Sequence, residues 1–192
     1  MIYPVLKFLV RCVCKLLFFV KLVNVENIPK EGAAILAGNH TSLWDPLVLI
    51  SCTKRSMRAM AKKELFQNQF LKCILEMAGA FPVDRSGSDV GAIKTALKAL
   101  KNGEIFAIFP SGTRVENEEG ASAKAGVALI SSRSGVPVIP VRFRGGYRPF
   151  HRVTVTFGEP MSITPADGKK ATSEELQVFA DAIMKKIDGL GV

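Results

Sequence analysis

Several kinds of chemistry are excluded by what this chain has little of. Among 192 residues there are two histidines, four cysteines, one tryptophan and two tyrosines. Cys12, Cys14, Cys52 and Cys73 form no CxxC pair and have no histidine at ligand spacing. The usual zinc patterns are therefore missing, and no metal or other cofactor is expected. All four cysteines lie in apolar or helical contexts, which reads as buried, reduced thiols in a cytosolic setting. Few stacking aromatics and no recognisable binding motif argue against a nucleic-acid partner. No internal repeat or low-complexity linker divides the chain.

Apolar residues make up 48% of the chain, enough for one domain with a real core. The net charge of +9 favours anionic partners: a lipid surface or a phosphorylated substrate. The longest apolar run, Ile2 to Val23, is interrupted by Lys7, Arg11, Lys15 and Lys21. On a helix turning about 100° per residue, those cations fall within an arc of about 120°. Leu6, Leu9, Val10, Val13, Leu16, Leu17, Phe19 and Val20 occupy the remaining surface. This pattern predicts a basic amphipathic helix lying in the headgroup plane of a membrane. Arg11 at mid-segment would be costly at the bilayer centre, which argues against a spanning helix. A cleaved signal peptide fits poorly, because the charges run through the apolar region and no small-residue cleavage site follows. The alternative is a helix packed on its own domain with its basic side in water. Residues 1–21 are accordingly read as a membrane-associating helix and 22–192 as one domain.

The domain alternates between two periodicities. Strands are expected over Ala33 to Ala37, Arg58 to Ala61, Ala80 to Val83, Ile105 to Phe109, Val138 to Phe143 and Arg152 to Phe157. Helices are expected over Pro46 to Cys52, Phe70 to Met77, Asp89 to Lys101, Ala123 to Arg133 and Thr172 to Ile187. Val115 to Gly120 and Thr164 to Ala171 read as loops. The alternation predicts a single α/β domain with a mainly parallel sheet flanked by helices. In such sheets the working groups gather at the carboxyl ends of the strands. His40, Lys62, Asp84 with Arg85, and Pro110 to Arg114 each follow a predicted strand.

Asn39-His40-Thr41-Ser42-Leu43-Trp44-Asp45 places a histidine five residues before an aspartate. Five helical positions rotate by about 500°, about 140° net, so the two meet only if the chain turns at Thr41-Ser42. With Pro46 at the first helical position, Asp45 would be the N-cap. An aspartate folded back on the imidazole would hold one tautomer and stabilise the imidazolium formed on proton abstraction. The alternative is an aspartate that merely caps and a histidine that is merely satisfied. In Phe109-Pro110-Ser111-Gly112-Thr113-Arg114 a buried strand enters a turn. There Gly112, backbone amides, the Thr113 hydroxyl and the Arg114 guanidinium suit a phosphate monoester. Arg85 and Lys62 supply further cations at strand ends. Each block alone reads equally well as an ordinary turn or a solvated charge.

In this order, the blocks resemble the lysophosphatidic acid acyltransferase family, the 1-acyl-sn-glycerol-3-phosphate acyltransferases, over about residues 22 to 160. His40 and Asp45 look like the family's His-four-residues-Asp motif. The blocks ending at Arg85 and at Arg114 look like its acyl-acceptor blocks. Val136 to Val141 looks like its fourth block, tied to the acyl chain or donor. Ala61-Lys62-Lys63-Glu64-Leu65 resembles a family segment between the first two. The resemblance implies acyl transfer from an acyl-CoA or acyl-acyl carrier protein thioester to the free hydroxyl of lysophosphatidic acid, giving phosphatidic acid. His40 would be the base, oriented by Asp45. Lys62, Arg85, Gly112, Thr113 and Arg114 would bind the phosphate at the cytoplasmic face of the membrane.

One position departs from the pattern: Ser111 stands in the acyl-acceptor region where the family usually has Glu. That keeps other readings open, namely another lysophospholipid or glycerol-3-phosphate as acceptor, or a non-catalytic lipid-binding protein. A hydrolase with Ser111 as nucleophile lacks the G-x-S-x-G elbow. Arg142, Arg144, Arg148 and Arg152 would suit an acidic carrier protein, or are solvated strand ends.

Overall fold

The structure, a computed structural model, describes residues 8, 12–14, 16–84, 90–110, 118–165 and 170–191. Its strands are β1 (Phe18–Val23), β2 (Ala34–Gly38), β3 (Met57–Lys62), β4 (Ala80–Val83), β5 (Ile105–Ile108), β6 (Val138–Gly145) and β7 (His151–Phe157). Its helices are α1 (Asp45–Ser51), α2 (Gln69–Met77), α3 (Val90–Lys101), α4 (Glu118–Ser134) and α5 (Ser173–Gly189).

Among the described residues the strands form one seven-stranded sheet in the order β1-β7-β6-β2-β5-β3-β4. Strands β6, β2, β5, β3 and β4 run parallel to one another. Every residue of β2 and of β5 is buried, which is why both read as unbroken apolar runs rather than alternating ones. Ile35, Ala37, Phe106, Ile108 and Val138 on one face pack against α3, α4 and α5. Leu36, Ala107, Ile139, Val141 and Phe157 on the other pack against α1 and Cys14.

The parallel rule breaks at one place that matters for the site. β7 runs antiparallel to β6, and β1 pairs parallel with β7. Only five residues, Gly146 to Phe150, separate β6 from β7, too few for a parallel crossover. Reversing β7, and β1 with it, puts the start of β1 at the same sheet edge as the carboxyl ends of the five parallel strands.

Two expectations are corrected. The helix expected over Ile2 to Val23 does not reach Val23: Phe18–Val23 is strand β1, paired residue by residue with His151 to Thr156. Its aromatic and β-branched residues suit a strand once β7 is beside them, a partner that helical periodicity cannot reveal. Residues 8, 12–14, 16 and 17 are helical, while Lys7, Arg11 and Lys15 lie outside the described residues. The loop expected over Val115 to Gly120 is helical from Glu118, where acidic residues suit a first turn. Gly120 is carried inside α4.

The closing helix α5 begins at Ser173, one residue after the start of the range expected for it. Thr172 caps it, accepting from the Glu175 amide, while the Glu175 carboxylate accepts from the Thr172 amide at 2.7 Å. Thr172→Ala should cost about 1 kcal/mol and lower Tm by about 2–4 °C in a chain of this size. Differential scanning calorimetry checks this; an unchanged Tm would mean the box contributes nothing.

Candidate active site

β2 delivers the site and ends where side chains become awkward. A Cβ on Gly38 would sit 3.1 Å from the Phe143 ring and 3.4 Å from the Phe109 ring. Glycine therefore lets those two aromatics close beneath the strand end. Asn39 then bonds twice to Phe143 of β6, accepting from its amide at 2.7 Å and donating to its carbonyl at 3.1 Å. The next residue, His40, emerges with its ring against Phe109, centroids 4.8 Å apart.

The chain turns through Thr41 to Trp44 and enters α1. Trp44, not Asp45, is the N-cap position, and it makes no side-chain cap bond. Asp45 therefore begins the helix, and its carboxylate is not used as a cap. It points back over the turn and is fully buried. Oδ2 lies 3.2 Å from His40 Nδ1 and accepts from the Thr41 and Ser42 amides at 2.5 and 2.7 Å. Oδ1 accepts from the Tyr147 hydroxyl at 2.5 Å, and the Thr41 hydroxyl donates at 3.3 Å. A carboxylate only accepts, so Nδ1 must carry the hydrogen. Nε2, on the far side of the ring, is then the nitrogen able to take a proton.

Burial by itself pushes the Asp45 carboxyl up. The hydrogen bonds from His40, Tyr147 and the Ser42 and Thr41 amides outweigh it and leave the group below its ordinary value. The Tyr147 phenol is pushed well above its usual range by burial and by the Asp45 charge, so it stays protonated and donates.

A family model described as Acyltransferase matches residues 19–144. The 1-acyl-sn-glycerol-3-phosphate acyltransferase of Bacillus subtilis is 35% identical over 178 residues, covering 89% of this chain and 87% of that protein. The chain belongs to the 1-acyl-sn-glycerol-3-phosphate acyltransferase family. It is an O-acyltransferase of phospholipid biosynthesis. The enzyme of the same name from Streptococcus pneumoniae is 35% identical over 175 residues, or 87% of this chain and 64% of that protein. The crystal structure of the 1-acyl-sn-glycerophosphate (LPA) acyltransferase PlsC from Thermotoga maritima has the same fold. Its TM-score is 0.70 at 23% identity, over 98% of this chain and 79% of that one.

In this acyltransferase the parallel strands bring the other blocks to the edge where His40 stands. β5 lies between β2 and β3, and β4 follows β3. Strand spacing then puts the ends of β2 and β3 about 10 Å apart. Lys62 is the exposed last residue of β3, in register with Val83 of β4. Its neighbour Lys63 forms an exposed ion pair with Asp84, tying the two strand ends together. Arg85, Ser111, Gly112, Thr113 and Arg114 lie outside the described residues. Asp84 and Pro110, which immediately precede them, follow the carboxyl ends of β4 and β5.

Other expectations resolve differently. Val138, Ile139 and Val141 of the fourth block are fully buried and hold the sheet together. Arg142 donates to the last carbonyls of α5, at 3.0 Å to Ile187, and so closes that helix. Cys12 and Cys73 are exposed; only Cys14 is a buried thiol, pushed up to about 11 by burial. Tyr147 was missed by sequence reasoning. The available signal was the glycine pair before it in a connection too short for a parallel crossover.

The Asp45 shift makes a prediction about stability. Its folded pKa lies below the ordinary value, so its contribution is complete above about pH 4. It is lost as pH falls through the folded value. In urea unfolding followed by circular dichroism, Asp45→Asn should destabilise the protein more at about pH 7 than at about pH 3. Equal destabilisation at both would contradict the shift.

Proposed function

We propose that His40 is the general base that takes the proton from the free hydroxyl of 1-acyl-glycerol-3-phosphate as that oxygen attacks an acyl thioester. The product is phosphatidic acid. The observation that carries this reading is the buried Asp45 carboxylate 3.2 Å from His40 Nδ1, at the carboxyl edge of a mainly parallel sheet. The carboxylate keeps Nε2 basic and compensates the imidazolium that forms. The proton then passes to the departing thiolate of coenzyme A or acyl carrier protein. Direct attack by the acceptor needs no acyl-enzyme. Lys62, Arg85 and Arg114 hold the acceptor phosphate, with Gly112 and Thr113 adding hydrogen bonds. Ser111, in the acyl-acceptor region, leaves the base untouched and bears on how tightly that acceptor is held.

The enzyme meets this acceptor at a lipid surface. Among the described residues no helix is long and apolar enough to cross a membrane. Phe8 and Leu16, both helical residues ahead of β1, are 66% and 74% exposed. Leu43 beside the site turn, Phe19 in β1 and Phe150 in the β6–β7 turn are exposed too. Leu43 and Phe150 belong to segments at the carboxyl edge of the sheet, and Phe19 is the second residue of β1, which starts at that edge. Apolar side chains of that size gain about 1.5–3 kcal/mol each on full burial. The +9 charge adds attraction to anionic headgroups. An acceptor with an embedded acyl chain then reaches His40 without leaving the bilayer. On this reading residues 1–21 contact the membrane, the rest forms the acyltransferase domain, and the protein sits peripherally on the cytoplasmic face.

Two experiments test this. His40→Ala and Asp45→Asn should each lower turnover with lysophosphatidic acid and an acyl thioester by at least about 10²-fold, the usual worth of a positioned base. Near-normal turnover in both would remove the mechanism. Phe8→Ser with Leu16→Ser should weaken co-sedimentation with vesicles of anionic phospholipid by about tenfold or more, some 1.4 kcal/mol. Unchanged sedimentation would argue that these side chains do not enter lipid.

A further inference from the structure

We propose that Tyr147 is a positioning residue for the reaction, its hydroxyl clamping Asp45 Oδ1 so that the carboxylate presents Oδ2 to His40. This rests on the reading of His40 as base, and adds a group from the far side of the chain. The two oxygens of Asp45 are held by different means. Oδ2 is fixed locally, by amides three and four residues earlier. Oδ1 is held by a hydroxyl 102 residues away, with one longer contact from Thr41. A fully buried carboxylate oxygen without a strong donor would turn or draw in water, and either motion moves Oδ2 off the imidazole.

The arm that carries Tyr147 is built for one conformation. Gly145 has φ 115°, and a Cβ there would lie 2.3 Å from the Arg152 carbonyl oxygen. Only glycine fits where the turn leaves β6. Phe150 adopts a left-handed φ of 66°, unusual for a bulky residue, and its amide donates to the Leu17 carbonyl at 2.7 Å. The turn is therefore stitched to the residue just before β1. Phe18, the first residue of β1, stands edge-on to the Tyr147 ring at 5.3 Å and to the Trp44 ring at 5.2 Å. Trp44 immediately precedes Asp45. The phenol is thus wedged between the N-terminal segment and the turn that carries the catalytic pair, and it aims at one oxygen.

Tyr147→Phe keeps the ring and its packing and removes only the donor. Steady-state kinetics should show kcat reduced about tenfold, as expected for loss of a hydrogen bond to a charged group, with KM for acceptor and donor within about twofold. The imidazole gives a second readout, because the chain has only two histidines. Nitrogen-15 spectra, with His151→Gln to assign the signals, should show His40 as the single Nδ1–H tautomer in the parent and as a mixture in Tyr147→Phe. Packing alone would not produce that change. A kcat within twofold of the parent, or a reduced kcat with an unchanged nitrogen-15 pattern, overturns the inference. His40→Ala and Asp45→Asn run alongside. If they retain turnover, the base reading falls; if they lose it while Tyr147→Phe matches the parent, only the clamp falls.

Discussion

The candidate site depends on one buried negative charge that cannot be left unsatisfied. Taking the Asp45 carboxylate out of water costs several kcal/mol unless donors surround it. The protein surrounds it with two backbone amides, an imidazole, a hydroxyl and a phenol. Because each donor has a fixed origin, satisfying the carboxylate also fixes the turn from His40 to Trp44, the tautomer of His40 and the place of Tyr147. Gly38, Asn39 and Phe109 serve the same end from below, by letting the strand end close tightly under the imidazole.

The sheet topology decides what meets at this point. Five parallel strands put His40, Lys62 and the residues before Arg85 and Ser111 along one edge. Two reversed strands return the chain to that edge with an exposed apolar segment ahead of β1. Acyl transfer to a lipid acceptor requires a base, a cationic cradle and a lipid-facing surface within the length of one substrate. The reversal of β7 is what brings the exposed apolar segment to the edge where His40 and Lys62 stand. Had β7 been parallel to β6, the N-terminal segment would stand at the opposite edge.

Much of this was legible in the residues. The period-two and helical patterns located every strand from β2 to β7 and the helices α1 to α5, because the buried strands are short apolar runs and the helices carry one apolar face. The spacing of His40 and Asp45 showed that they could meet only across a turn, and they do. β1 was illegible, because a strand at the sheet edge takes its state from its neighbour while its own pattern continues the preceding helix. The early start of α4 was hidden by a run of acidic and small residues that suits a loop as well as a first helical turn.

What the sequence determined by itself was local: where apolar periodicity changes, which residue types follow each strand, and that an imidazole and a carboxylate lie within reach of each other across a turn. Those properties depend on neighbours a few positions away. Only the tertiary structure decided that Asp45 is buried rather than capping, that Phe18–Val23 is a strand beside β7, and that Tyr147 reaches Oδ1 from 102 positions away. Such choices arise from the cost of an unpaired buried charge and from strand pairing across the sheet. Both are settled by contacts between residues remote in the chain, and no local pattern carries them.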